Sequence, residues 1–235
     1  MAWGDVPRAI GRKRTQSPES RESRPIKVAD LIDAPPPPSI LYLTDDTAAA
    51  AAVERLRHST LLALDIETTP KAQVPSEYRG WSRKQKALDP RTADIRLMQF
   101  YDGGPTVYVF DLFRVSQKLL WPLFQLPLLA HPAKFEGKFL RYHGIYPKDL
   151  RCTMRLAKAR HPREFSLAAA ARLYLNTELD KTFQASNWSG TLTEEQIQYA
   201  AMDAYITFHL YRALTDSGVA EAKTCDEPPE EPRLL

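Results

Sequence analysis

Two acidic side chains, Asp65 and Glu67, follow an apolar run in the segment LLALDIET, residues 61–68. Because side chains in a strand alternate between faces, a strand over this segment puts both acids on the same face. Two such carboxylates repel each other and resist burial unless a cation lies between them. Mg²⁺ and Mn²⁺ favour carboxylate oxygens as ligands. The pair therefore indicates either a metal site or a strand that runs into a solvated acidic turn.

A third acid, Asp203, lies inside a predicted long helix over residues 194–215. Thr193 and Gln196 form a predicted capping box at the start of this helix. Tyr199 and Asp203 are four residues apart, so the helix presents them on one face, among alanines that allow close approach to a strand. An aspartate in such a stripe is costly to bury without a partner. Asp203 is therefore either a metal ligand or an exposed side chain near the centre of the helix.

A fourth acid, Glu136, lies near the start of a predicted helix in the segment HPAKFEGKFL, residues 131–140. An acid in the first turn of a helix is favoured by the helix dipole alone. Glu136 alone therefore does not indicate a metal site, and it becomes a candidate ligand only together with the other three acids.

The elements that must position these acids alternate between strand and helix, which predicts an α/β fold with one mixed sheet flanked by helices. The strand containing Asp65 and Glu67 and the next two strands are expected to form an antiparallel three-stranded meander. The polar insertion over residues 70–90 carries no predicted element. The predicted strands cover residues 40–43, 61–68, 94–101, 106–112, 126–131 and 149–153, and the helices cover 47–57, 134–143, 154–160, 166–174 and 194–215.

Composition indicates an ordinary globular chain of 235 residues with 43% apolar residues, 26% charged residues and a net charge of +3. We expect one domain over residues 39–216, between a disordered basic, proline-rich tail over 1–38 and a disordered acidic, proline-rich tail over 217–235. The first tail is expected either to tether nucleic acid or a recruiting protein, or to act as a solubilising segment.

The compartment predicted from composition is intracellular and reducing, hence cytoplasmic. Two cysteines cannot form a disulfide framework. No apolar run reaches the ~20 residues of a membrane span, so no membrane partner is expected. Organelle import is the alternative, because the N-terminal region is rich in arginine and serine.

Three motifs in this order resemble those of the DEDD-superfamily 3′–5′ exonucleases, in the DEDDy subgroup with a tyrosine in the last motif. They are DIET at residues 65–68, HPAKFEGKFL at 131–140 and YAAMD at 199–203. Residues 179–196 are also similar to the loop before the last motif in ribonuclease D. The resemblance covers residues 40–214 and extends to the Werner exonuclease and to the proofreading domains of A-family DNA polymerases. It implies a ribonuclease H-like sheet.

The resemblance also implies a mechanism with two divalent metal ions, Mg²⁺ or Mn²⁺. Asp65, Glu67 and Asp203 would hold one ion, Asp65 and Glu136 would serve the second, and Tyr199 would orient the attacking water. The implied reaction removes 5′-monophosphates from the 3′ ends of single-stranded DNA or RNA. Glu136 departs from the family, which has aspartate there. The alternatives are a catalytically weakened nucleic-acid-binding module and a small-nucleotide phosphodiesterase on the same fold.

Two further residues are candidate substrate contacts. Phe135 precedes Glu136, where an aromatic ring could stack on the terminal base, and a core phenylalanine is the alternative. Thr68 could hydrogen-bond the terminal nucleotide, and capping the end of the strand is its alternative.

Overall fold

The computed structural model describes residues 38–180, 182–184 and 186–216. Apart from Pro38, the predicted tails 1–38 and 217–235 lie outside these residues. The strands are β1 Ser39–Leu43, β2 Leu62–Pro70, β3 Ala93–Tyr101, β4 Thr106–Asp111, β5 Pro127–Ala130 and β6 Asp149–Cys152. The α-helices are α1 Asp46–Leu56, α2 Arg83–Ala87, α3 Ala133–Tyr142, α4 Thr153–Arg160, α5 Leu167–Leu175 and α6 Glu194–Asp216. Short 3₁₀ segments cover Ser76–Tyr78 and Gln117–Gln125.

The six strands form one sheet in the order β1-β4-β3-β2-β5-β6. Strand β2 is antiparallel to β3, and β3 is antiparallel to β4, so the predicted meander is confirmed. The remaining pairs, β1 with β4, β2 with β5 and β5 with β6, are parallel. The mixed sheet with helices on its faces confirms the predicted α/β fold class.

The two faces of β2 bury different clusters. Leu62, Leu64 and Ile66 pack into the cluster that also contains residues of α1 and α3. Ala63, on the opposite face, belongs to the cluster formed with α4, α5 and α6. Because alternation continues along the strand, Asp65 and Glu67 face α6. Three small side chains of α6, those of Ala200, Ala201 and Ala204, are fully buried in this second cluster.

The turn between β3 and β4 shows how closely α6 approaches the sheet. Gly103 has φ of 86°, a conformation that favours glycine, and a Cβ at this position would lie 2.6 Å from the ring of Phe208 on α6. This turn therefore depends on a residue without a side chain, and it lies directly against the long helix.

The polar insertion differs from its prediction, because it is folded. It contains the 3₁₀ turn Ser76–Tyr78 and the helix α2. Ser82 caps α2 with Gln85 in a reciprocal capping box. At its end, Asp89 accepts hydrogen bonds from Arg91 at 2.9 and 2.8 Å and from Lys138 of α3 at 3.0 Å. The insertion is therefore tied to the helix that carries Glu136.

Within the described residues, no helix combines the length and the apolar character needed to cross a membrane.

Candidate metal centre

Three carboxylates from two elements meet on the face of the sheet that α6 covers. Asp65 and Glu67 come from β2 and Asp203 comes from α6, and one oxygen of each lies within 4.8 Å of the others. All three side chains are partly buried. The register between β2 and β3 shifts directly after Glu67, and bulges of this kind redirect side chains next to functional sites. The structure thus brings together three of the four predicted metal ligands.

Burial and mutual repulsion make these acids hard to ionise. Burial raises the pKa of Asp65 well above its usual value, and the charges of Asp203, Glu67 and Glu136 raise it further. Burial and Asp203 do the same to the pKa of Glu67. Burial raises the pKa of Asp203 to about 7, against the opposing effect of a hydrogen bond from Tyr199. A bound cation would offset this repulsion.

Glu136 lies beside this cluster and is not one of the three acids that meet. It is 1% exposed, and its Oε2 has no hydrogen-bond partner among the described residues. Burial, with a contribution from Asp203, raises its pKa to about 8. A buried carboxylate oxygen without a partner is costly, and a cation would satisfy it. The donor set is all oxygen, which fits Mg²⁺ or Mn²⁺. These residues therefore fit a divalent-metal site.

Tyr199 is positioned by the start of α6 and by the loop before it. The predicted capping box is present, since Gln196 Oε1 accepts from the Thr193 amide at 3.1 Å and Thr193 Oγ1 accepts from the Gln196 amide at 3.3 Å. The ring of Trp188 lies 6.3 Å from the ring of Tyr199. Trp188 is buried, as a packing residue should be.

Arg96 of β3 holds the same loop from the sheet side. Its Nη1 donates to the carbonyls of Trp188 at 3.2 Å and Gly190 at 3.1 Å, and its Nη2 donates to Asp111 at 2.9 Å. The loop that packs on Tyr199 is therefore anchored to a buried ion pair.

A cavity of about 470 Å³ opens over the acidic cluster. Its size suits a small ligand or one nucleotide. Phe135 and Trp188 line it with apolar surface, while Arg83 and Lys84 of α2 supply positive charge. The lining also includes Asp65, Glu67, Thr68, Tyr199 and Asp203. Glu136 lies behind this surface and does not line the cavity.

Both candidate substrate contacts line the cavity. The hydroxyl of Thr68 donates to the carbonyl of Ala87 at 2.7 Å, so it links β2 to α2 and can still accept a hydrogen bond. The ring of Phe135 packs against Phe139 at 5.0 Å and also faces the cavity. Their substrate roles stay predictions.

Two functional candidates that were not predicted from the sequence are the cations Arg83 and Lys84 of α2. The signal was present, because Ser82 and Gln85 form a capping-box pattern around a basic run. A five-residue helix is too short to show hydrophobic periodicity. Only the folded insertion shows that this run faces the acids.

Comparison with known proteins assigns this chain to a family. Residues 85–218 match the 3′–5′ exonuclease family, which is more than half of the chain, and the chain belongs to this family. The matched segment includes Glu136, Tyr199 and Asp203, whereas Asp65 and Glu67 precede it. DNA polymerase I of Aquifex aeolicus (strain VF5) is 29% identical over 170 residues, which cover 70% of this chain and 25% of that protein.

Solved structures of similar fold include nucleases. Escherichia coli RNase D is 22% identical with a TM-score of 0.61, covering 77% of this chain and 46% of that one. Brucella melitensis NrnC with bound Mg²⁺ is 18% identical with a TM-score of 0.59, covering 76% of this chain and 81% of that one. NrnC is also described bound to pGG. The predicted resemblance is therefore confirmed at the level of family and ribonuclease H-like fold. The chain spans about a quarter of the polymerase and about half of RNase D.

The raised carboxyl pKa values predict how the metal-free protein responds to pH. Between roughly pH 7 and 8, carboxyls of the unfolded chain are ionised and its histidines are mostly neutral. Asp203 and Glu136, with pKa values of about 7 and about 8, retain protons in the folded state. The unfolded state then binds fewer protons, so the free energy of unfolding in EDTA falls as pH rises through this window.

Thermal unfolding in EDTA and in Mn²⁺ checks this expectation. Because the ion binds ionised carboxylates, the rise in melting temperature on adding Mn²⁺ should be larger at pH 8 than at pH 7. Asp203→Asn is the matched control. It should reduce both the pH dependence of stability in EDTA and the rise in melting temperature on adding Mn²⁺. A metal-free protein that gains stability across this window would contradict the prediction.

Proposed function

We propose that this protein is a metal-dependent exonuclease that removes nucleotides one at a time from the 3′ ends of single-stranded DNA or RNA, releasing 5′-monophosphates. The observation that carries the proposal is the meeting of Asp65, Glu67 and Asp203 beneath a cavity of nucleotide size. Tyr199 stands beside these acids on the same helix face as Asp203. Membership of the 3′–5′ exonuclease family supports the same reaction.

The metal requirement follows from the donor set. Asp65, Glu67 and Asp203 would hold one divalent ion, and Asp65 with Glu136 would serve a second. Two such ions, when bound, supply activation of water, neutralisation of the scissile phosphate and stabilisation of the leaving 3′ oxygen. The Mg²⁺ found in NrnC supports the choice of ion.

Tyr199 would orient the attacking water. Burial, with the negative charges of Asp203, Glu67 and Asp65, raises the pKa of the Tyr199 hydroxyl above its usual value. The phenol therefore keeps its proton at physiological pH and can donate a hydrogen bond while it accepts another. Its packing against Trp188 restricts the ring, and small errors in position are costly in catalysis.

The terminal nucleotide would enter the cavity with its base beside the ring of Phe135. Stacking on an aromatic ring tolerates any base, which suits removal of successive nucleotides. The hydroxyl of Thr68 has a free acceptor site that a sugar hydroxyl can use. The depth of the acidic site favours single-stranded ends, because only an unpaired nucleotide can enter alone.

A shortening assay tests the proposal. Single-stranded DNA and RNA with a 5′ label are incubated with Mg²⁺ or Mn²⁺, with EDTA, and with the Asp203→Asn variant. We expect a ladder that shortens from the 3′ end, mononucleotide 5′-phosphate as product, and loss of both under the two control conditions. Circular single-stranded DNA should stay intact because it has no end. Binding without shortening would instead support the catalytically weakened module.

Glu136 provides a second prediction. Its carboxylate is one methylene longer than the aspartate usual in the family, and its Oε2 has no partner among the described residues. Glu136→Ala removes the proposed ligand and should lower kcat by about 10²-fold or more. Glu136→Asp retains a carboxylate and should keep measurable activity.

Initial rates at saturating Mn²⁺ measure these effects, with Glu136→Gln as the control that preserves side-chain size. Gln should behave like Ala if charge is what matters. If Glu136→Ala cuts as fast as the native chain, Glu136 has no catalytic role.

A further inference from the structure

A second cavity adjoins the acidic one and has the opposite charge. It measures about 420 Å³ and shares Thr69, Pro70 and Arg83 with the first cavity. We call it the basic groove, and define it by the side chains of Lys71, Arg83, Lys86, Asn187 and Ser189. Three of its lining residues are cations, and none of the described residues that line it is acidic.

The groove lies between two segments that are distant in sequence. Lys71, Arg83 and Lys86 belong to the insertion after β2, while Asn187 and Ser189 belong to the loop before α6. The guanidinium of Arg83 donates to the side-chain oxygen of Asn187 and so joins the two walls. The groove therefore depends on the contact between the folded insertion and the loop before α6.

The cations of the groove differ in how far their charge is already neutralised. Lys71 donates to the carbonyl of Pro90 at 2.9 Å and lies 3.8 Å from Asp94. Lys86 donates to a carbonyl, that of Arg79 at 3.3 Å. Within the part of the chain that the structure describes, Arg83 and Lys86 form no ion pair with a carboxylate. Their positive charge is available to a ligand.

This charge pattern fits a polyanion with one end in the acidic cavity. We propose that the basic groove binds the backbone phosphates that lie on the 5′ side of the scissile bond, an inference that rests on the proposed function. The carboxylates of the acidic cavity repel phosphates that are not neutralised by a bound metal ion. The backbone phosphates next to the reacting one are therefore more stable on a positively charged surface. Arg83 lies at the junction of the two cavities, where the strand must pass.

Recognition of this kind has a defined specificity. Phosphate contacts carry no base information and occur equally in DNA and RNA, so the groove should be indifferent to sequence and sugar. Its contribution should grow with substrate length beyond a dinucleotide and weaken with salt. The groove would thus hold a strand while the end is trimmed.

Binding measurements on the full chain test the inference without relying on hydrolysis. In the Asp203→Asn background, fluorescence anisotropy gives Kd for a labelled dinucleotide and for a single strand of about eight nucleotides. Lys86→Gln should raise Kd for the longer strand by about 3- to 10-fold and leave the dinucleotide unchanged, and its salt slope should fall by about 0.7. Arg83→Gln combined with Lys86→Gln should weaken binding of the longer strand further.

Two controls make the outcome decisive. Lys118→Gln removes an exposed lysine outside both cavities and should have no effect, whereas Lys86→Arg should retain the affinity. An unchanged Kd in Lys86→Gln, or equal competition by polyglutamate, would overturn the inference. If the native chain hydrolyses no substrate but the groove variants still weaken binding, the proposed exonuclease activity is rejected and the inference about the groove is retained. If the native chain hydrolyses its substrate normally but the groove variants do not change Kd, the inference about the groove is rejected and the proposed activity is retained.

Discussion

Replacing Asp65 by asparagine is expected to abolish cleavage and, at the same time, to stabilise the metal-free protein. Asn has nearly the same shape but no charge. Its neutral amide oxygen is a weaker ligand for a divalent cation than a carboxylate, so the rate should fall by about 10³-fold or more. Burial and three neighbouring acids raise the pKa of Asp65, so its ionisation opposes folding at neutral pH and above.

The stability gain in Asp65→Asn should be about 1–3 kcal/mol at pH 8 in EDTA, the size typical of relieving a buried charge. Chemical denaturation measures it. Adding Mn²⁺ should reverse the order of stability, because the native site gains more from the ion than the variant does.

Asp89→Asn is the matched control, because the same substitution should lower the free energy of unfolding at this position. Arg91 and Lys138 hold the pKa of Asp89 below its usual value, so its charge stabilises the fold at neutral pH. A metal-free Asp65→Asn protein that is less stable than the native chain would show that the acids are not in electrostatic conflict. Retained cleavage would remove Asp65 from the proposed site.

The predictions that succeeded depend on local periodicity. Asp65 and Glu67 share a face because alternation is a property of the strand itself, and Leu62, Leu64 and Ile66 lie on the opposite face as it requires. The start of α6 was likewise readable, because the capping box formed by Thr193 and Gln196 is local in sequence.

The features that sequence reasoning missed depend on contacts between distant segments. Helix α2 is held by the hydrogen bond from Thr68 to Ala87 and by the contact of Arg83 with Asn187, and neither partner is implied by the sequence of the insertion. The position of Glu136 depends on how α3 packs. The motif predicts that Glu136 lies near the other acids. It does not predict that Glu136 lies behind the cavity surface, where its Oε2 has no hydrogen-bond partner among the described residues. The basic groove arises from the folded insertion and the loop before α6, two segments about a hundred residues apart, as the separation of Arg83 and Asn187 shows.

The largest effect on stability is expected from Arg96, which connects the sheet to the loop that supports Tyr199. Its ion pair with Asp111 is buried, with side-chain exposures of 8% and 0%. Among the described residues, Arg96→Met would leave the buried Asp111 carboxylate with neutral donors alone, the Tyr42 hydroxyl at 2.6 Å and the Phe113 amide at 3.1 Å. Removal of one partner from a buried pair typically costs about 3–5 kcal/mol. Chemical denaturation of Arg96→Met should show a loss of this size.

A double variant separates this stabilising role from the positioning of Tyr199. Arg96→Met with Asp111→Asn removes both charges and keeps an acceptor for Tyr42, so most of the lost stability should return. The carbonyls of Trp188 and Gly190 still lack their donor, however, so the loop that packs on Tyr199 stays loosened. We expect kcat to remain about 10-fold below native while KM changes little, because orientation of the water is impaired and substrate contacts are not. Recovery of both stability and kcat in the double variant would show that the two carbonyl bonds of Arg96 do not serve Tyr199.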